Sequence, residues 1–175
     1  METIEVKIHI QAPIEKVWRL FSNHEGYTFI RRVSEAKLLK PGRTEENGLG
    51  AVRRIRILGV TFIEDIVAFD PPSLLEYHVR ECTLPIRHEI GRMQFTPTDR
   101  GTDVHWVSRF EMQVPVVGGL LARISHRIFG RVFQGALSEA KARLEATSDR
   151  PDGLHVPPRL LQDEGFFHDR NGGSR

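Results

Sequence analysis

The side chains best equipped for chemistry fall, by strand parity, onto one face of one sheet. In AVRRIRILGVTFIEDIV, residues 51–67, two alternating segments flank a break at Leu58–Gly59. Pairing Ile57 with Val60 across that turn sets Ile55 opposite Phe62 and Arg53 opposite Glu64. Ala51 and Ile66 share the face, so an arginine and a glutamate stand in an apolar wall. An unpaired charge there is costly, so the two are expected to pair across the strands. Three roles stay open for the pair: structural support, an anchor for the polar end of a ligand, or acid–base chemistry. In the last case a carboxylate takes a proton next to a carbonyl and Arg53 stabilises the enolate.

The same parity extends the face. Leu75, Tyr77 and Val79 form one side of a following strand, and Val104, Trp106, Ser108, Phe110 and Met112 one side of the last. Opposite the last strand come Phe95, Met93, Gly91, Glu89 and Arg87. Glu89, beside Tyr77, is a further candidate acid, because burial disfavours a carboxylate; the alternative is a solvated group near an open end. Candidates for chemistry are thus Glu64, Glu89 and Arg53. By the same parity His78, His88 and His105 fall on the outer face.

These residues must be positioned by a sheet and something to close it. Ile4, Val6, Ile8 and Ile10 alternate as a half-buried strand, and Pro13 starts an amphipathic helix over 13–23 bearing Val17, Trp18 and Phe21. A second short helix is predicted at 25–31 and a strand at 33–40. Strands follow at 50–58, 60–69, 74–82, 86–97 and 103–113, with connections short enough only for antiparallel neighbours. A long helix is predicted over 117–146, with Leu120, Leu121, Ile124, Ile128, Val132, Phe133 and Leu137 in its apolar stripe. The class is α+β: a curved seven-stranded antiparallel sheet wrapped around the long helix, with two short helices between strands 1 and 2. Such a sheet can leave a cavity, closed on the helix side by Leu121, Ile124, Ile128, Val132 and Phe133. An apolar wall with few polar anchors is what a pocket for a hydrophobic ligand needs. Residues 1–146 make up this domain, and 147–175 form a tail whose Leu160–Leu161 and Phe166–Phe167 can dock on the body or a second subunit.

Composition narrows the classes. The 175 residues carry 25 basic and 23 acidic side chains, a net charge of +2 with no strongly basic block, so nucleic acid is not expected as a partner. The single cysteine, Cys82, excludes an internal disulfide. No window has the roughly 18 apolar residues of a membrane span, and the N-terminus lacks a signal-peptide core, so a soluble, cytoplasmic monomer or homodimer is expected. The histidines show no metal-binding spacing, GlyGlyLeuLeu at 118–121 lacks the rest of a phosphate loop, and no serine sits in a nucleophile motif; no metal and no cofactor are expected. Arg123, Arg127 and Arg131 repeat every four residues on the long helix. They form either a solvated face or a contact for an anionic membrane.

Several segments together resemble the SRPBCC superfamily, also called START-like or helix-grip proteins. IHIQAPIEKVWRLFSN is similar to its first strand and proline-started helix, IEDIVAFDPPSLLEY to its strand–AspPro–strand connection, and GRMQFTPTDRGTDVHWVSRF to its last hairpin. GALSEAKARLEA resembles the end of its long helix. The resemblance covers residues 1 to about 146 and points to the polyketide cyclase/dehydrase-like branch. It implies a deep cavity between sheet and helix that holds lipids, quinones, polyketides or hormones without a cofactor. In the branch's aromatase/cyclases a cavity arginine and tyrosine orient and enolise the substrate; by alignment their places fall near Ile66 and Val33, where this chain has neither residue. Binding or transport of a hydrophobic small molecule is therefore the leading expectation, with a cyclase, aromatase or dehydratase as the alternative. Expected ligand contacts are Arg53, Ile55, Phe62, Glu64, Tyr77, Glu89, Met93, Trp106, Ser108 and Phe110 on the sheet, and Ile124, Ile128, Val132 and Phe133 on the helix.

Overall fold

The computed structural model describes residues 1–113 and 118–148, with the backbone alone for 118–125 and 147–148. The expected docking of the tail and the side chains of Leu120, Leu121, Arg123 and Ile124 lie outside the described residues.

The first strand, β1 (Glu2–Ile10), buries Ile4, Val6 and Ile10. Helix α1 (Ile14–Ser22) starts directly after Pro13, whose carbonyl accepts from the amides of Lys16 at 3.0 Å and Val17 at 3.2 Å. Proline suits this place because it has no N–H to leave unpaired. The helix buries Val17, Trp18 and Phe21, and Trp18 meets Phe69 and Phe95 edge-on at 5.0 and 5.5 Å. The second short helix is a 3-10 turn, His24–Phe29, opened by the Asn23 side chain accepting from the Gly26 amide.

Six strands follow: β2 (Val33–Lys40), β3 (Val52–Ile57), β4 (Val60–Asp70), β5 (Leu74–Cys82), β6 (Ile86–Thr98) and β7 (Gly101–Met112). They form one antiparallel sheet in the order β1-β7-β6-β5-β4-β3-β2, so β1 closes against β7 and the rest is a meander. The sheet curves around α2 (Gly118–Ser148), as the pattern of the sequence predicts. Four polar contacts tie α2 in place: His126 to the Thr3 carbonyl, Lys141 to the His9 carbonyl, Glu145 to the Gln11 amide and Glu139 to the Arg31 amide.

The β3–β4 hairpin turns on two residues, Leu58 and Gly59, at φ 51° and 80°. Positive φ at both centres matches the right-handed twist of the strands and fixes their register. Ile57 pairs with Val60, Ile55 with Phe62 and Arg53 with Glu64, as expected. Charge on the convex face is consumed by other cross-strand pairs, among them Arg54–Glu35, Arg80–Asp65 and Arg92–Glu76. Exposed pairs of this kind contribute about 0–1 kcal/mol each; the Arg53–Glu64 pair sits in a different environment.

In β6 the predicted parity fails. A register shift between His88 and Ile90 sets His88 opposite Phe110 and Ile90 opposite Arg109, leaving Glu89 as the extra residue of a bulge. Beyond the bulge the in–out alternation is inverted. His88, expected outside, is buried; Arg87 and Glu89, expected inside, face solvent and pair with Glu111 and Arg109. Glu89 is thereby corrected from a cavity acid to a surface group.

Candidate functional site

Arg53 is the largest fully buried side chain in the described part of the protein. Its Nε donates to Glu64 Oε2 at 2.6 Å and its Nη1 to the Tyr27 hydroxyl at 3.3 Å. The guanidinium lies over the rings of Tyr27 and Tyr77, 5.2 and 5.1 Å from their centroids. The chain has two tyrosines, and both flank this one arginine. Burial works against its charge, but the charge of Glu64 and the hydrogen bond to it help hold its pKa above the ordinary value. Burial in turn raises the pKa of both tyrosines, so both remain neutral.

Hydrogen bonds spread outward from this centre. Tyr27 donates to the Phe21 carbonyl at 2.6 Å, linking the 3-10 turn to α1. Trp106 Nε1 donates to the Tyr77 hydroxyl at 3.1 Å, while its ring stacks on Phe133 of α2 at 4.0 Å. The His88 ring stacks on that of Tyr77, with centroids 5.5 Å apart and planes 13° from parallel.

Gly91 is what lets Tyr77 lie where it does: a Cβ there would overlap the tyrosine ring. Gly91→Ala is therefore expected to force Tyr77 off Arg53 and to destabilise the fold by about 1–3 kcal/mol, the cost of overpacking a filled site. Urea denaturation, with near-ultraviolet circular dichroism as the reporter of the aromatic cluster, measures both effects.

His88 contacts Ser108, Nε2 to Oγ at 3.2 Å, an arrangement that invites a nucleophile–base reading. The other ring nitrogen excludes it. Val79 N–H donates to His88 Nδ1 at 3.0 Å, so Nδ1 carries the lone pair and the neutral ring holds its proton on Nε2. His88 thus donates to Ser108 and takes no proton from it. Burial, and then the neighbouring His78, lower the His88 pKa to about 4, which keeps this neutral form at physiological pH. The serine hydroxyl hydrogen is left free of that bond.

The cavity between sheet and α2 has a free volume of about 90 Å³. Arg53, Glu64, Tyr27, Tyr77, His88 and Ser108 make its polar end; Ile55, Phe62, Trp106, Phe110, Val132 and Phe133 are part of its apolar wall. This volume is below the roughly 300–1,000 Å³ of a drug-sized ligand site, so it takes a small ring or short chain as it stands. A larger ligand, such as a fused ring system, is admitted as side chains of the wall shift.

Most of the residues expected at the site come together here, three do not, and one is not described. Glu89 is on the surface, for the reason given above. Met93 is buried in the core and does not line the cavity. Ile128 is 44% exposed, and Phe129, one position on, lines the cavity in its place. Ile124 lies outside the described side chains. Arg127 and Arg131 are exposed on α2. Sequence reasoning missed Tyr27, His24 and His88. His24 is fully buried, and neither ring nitrogen has a hydrogen-bond partner among the described residues. Burial, helped by the charge of Arg53, drives its pKa down to about 2. Among the described residues no cluster of histidine, cysteine and carboxylates could hold a metal ion, and no helix is long and apolar enough to cross a membrane.

Residues 1–145 match a family model described as polyketide cyclase / dehydrase and lipid transport. No curated protein matches the chain. Solved structures share the architecture. An aromatase/cyclase of a Streptomyces species superposes with a TM-score of 0.72 at 16% identity, over 87% of this chain and 99% of that one. A protein of Thermus thermophilus gives 0.71 at 22% identity, over 84% and 99%. A START superfamily protein of Mycobacterium smegmatis gives 0.68 at 13%, over 83% and 98%. At such identities the likeness establishes the fold alone.

Proposed function

The chain belongs to the polyketide cyclase / dehydrase and lipid transport family, and from that premise we propose that it binds a hydrophobic small molecule in the cavity between sheet and α2. One observation carries this reading: an apolar wall converging on a small, internally hydrogen-bonded polar end. Apolar burial supplies the affinity, at about 25 cal/mol per Å² removed from water. Arg53, Glu64, Tyr77 and Ser108 supply orientation.

A second reading is favoured by the arginine between two tyrosines. The aromatase/cyclase residues expected near Ile66 and Val33 are absent, yet Arg53, Tyr27 and Tyr77 bring the same side-chain types into the cavity from other positions. Against catalysis stands the lack of a positioned base. His88 is held as a donor, and Glu64 is committed through one oxygen to Arg53. Turnover of a poly-β-ketone mimic that Glu64→Gln abolishes would favour the enzyme.

The binding reading is tested with 1-aminoanthracene, an uncharged hydrophobic fluorophore. Ala136 is buried on α2 and lines the cavity, so Ala136→Phe places a ring in the free space. The expected result is at least a tenfold loss of dye affinity with the thermal transition retained. Arg92→Ala, on the convex face, leaves binding unchanged. Dye binding that is absent, or indifferent to Ala136→Phe, contradicts the reading.

A further inference from the structure

The charges that line the cavity among the described residues sum to zero. Arg53 carries one positive charge and Glu64 one negative, and they are bonded to each other. Tyr27, Tyr77 and His88 are neutral, and Ser108 and Trp106 carry no charge. A ligand bearing a carboxylate, phosphate or ammonium would therefore bring in a charge with no counter-ion, in a site walled mainly by apolar side chains. Burying such a charge is far more costly than burying a polar neutral group.

The polar end is also biased toward donors. Arg53 Nε is taken by Glu64 and Nη1 by Tyr27, which leaves Nη2 without a protein acceptor among the described residues. Tyr77 accepts from Trp106 and Ser108 accepts from His88, so each hydroxyl still has its hydrogen to give. Of groups that can only accept, one is left at this end, Glu64 Oε1, whose sister oxygen is on Arg53.

On these grounds, and resting on the reading of the cavity as a ligand site, we infer that the protein selects uncharged ligands that end in an acceptor oxygen, such as a ketone, quinone or enone carbonyl, and rejects fatty acids, phosphate esters and amines of the same apolar shape. The carbonyl oxygen accepts from Arg53 Nη2, with the Tyr77 or Ser108 hydroxyl as second donor. Glu64 Oε1 adds affinity when a hydroxyl stands beside that carbonyl. The selectivity arises from the Arg53–Glu64 pair being already neutral, not from a lack of cationic residues.

Displacement of 1-aminoanthracene from the wild-type protein at pH 8 tests the inference with nonane, nonan-2-one, octanoate and octylammonium, which share an apolar body and differ in the head. The expected order places nonan-2-one first, at least tenfold tighter than octanoate and octylammonium and tighter than nonane. In Glu64→Gln, which keeps an oxygen for Arg53 Nε but removes the negative charge, octanoate is expected to bind at least tenfold tighter than it does to the wild type. Octanoate equal to the ketone in the wild type, or no gain for octanoate in folded Glu64→Gln, overturns charge selection while leaving the cavity as a ligand site. Binding of neither the dye nor any of the four overturns both.

Discussion

Glu64→Leu is expected to destabilise the protein by about 3–5 kcal/mol, the cost of leaving a buried charge without its partner. Arg53 is 2% exposed and cannot turn to solvent without unpacking the 3-10 turn and the Tyr77 ring that enclose it. The pair itself adds little net stability, because removing two ions from water offsets most of their attraction. The double variant Arg53→Met/Glu64→Leu should therefore recover wild-type stability within about 1–2 kcal/mol, or exceed it. Equilibrium urea denaturation of the single and double variants measures the coupling directly. A single variant as stable as the wild type would show that Arg53 has access to water. That outcome would also remove the neutral, closed polar end on which ligand selection rests. If the double variant is stable, the pair is not retained for stability, which leaves a role in the cavity as its reason.

The second large effect is acid sensitivity between pH 6.5 and 4.5. His24 and His88 are buried in their neutral forms, with pKa values down to about 2 and about 4. In the unfolded chain each titrates near 6.5. Between those limits the unfolded state binds more protons than the folded one, so stability is complete above the unfolded pKa and is lost as pH falls below it. At pH 4.5 the loss is about 2–3 kcal/mol per histidine and about 5 kcal/mol for the two. That is a large share of a stability of about 5–15 kcal/mol. Urea midpoints at pH 8, 6 and 5.5 measure the slope above the range where carboxylates titrate. His24→Leu should halve the slope. It should also leave stability at pH 8 unchanged or higher, since it removes two ring nitrogens that have no partner among the described residues. A slope unaffected by His24→Leu would mean that the ring reaches water or an unseen partner.

The hairpin at the centre of the site was legible because local chemistry sets it. Leu58–Gly59 permits a two-residue turn, that turn fixes the register, and the register alone brings Arg53 to Glu64. The same logic gave Tyr77, Trp106, Ser108 and Phe110 their inward faces. It failed at Glu89, because a bulge needs no special residue: nothing in IRHEIGRM marks the extra position, and one unpaired residue reverses parity for His88, Arg87 and Glu89 together.

On α2 the error was one of phase. Ile128 and Phe129 are both apolar neighbours in sequence, and the helix turns Phe129, Val132, Phe133 and Ala136 to the cavity while Ile128 faces out. Tyr27 and His24 were hidden for a different reason. A 3-10 segment of six residues has too short a period to reveal a buried face. A signal was nonetheless available: a chain with two tyrosines and an inward arginine has few ways to cover that guanidinium, and one tyrosine was already placed on the same face. The family's aromatase/cyclase positions, read by alignment, found neither, because this chain delivers its arginine and tyrosines from β3, β5 and the 3-10 turn.

A crystal structure of the protein with nonan-2-one tests the central claim most directly. The expected result is the alkyl chain between Phe62, Phe129 and Phe133, with the carbonyl oxygen in hydrogen-bond contact with Arg53 and the Arg53–Glu64 bond intact. A ketone bound with its oxygen away from Arg53, or bound only outside the cavity, would contradict it.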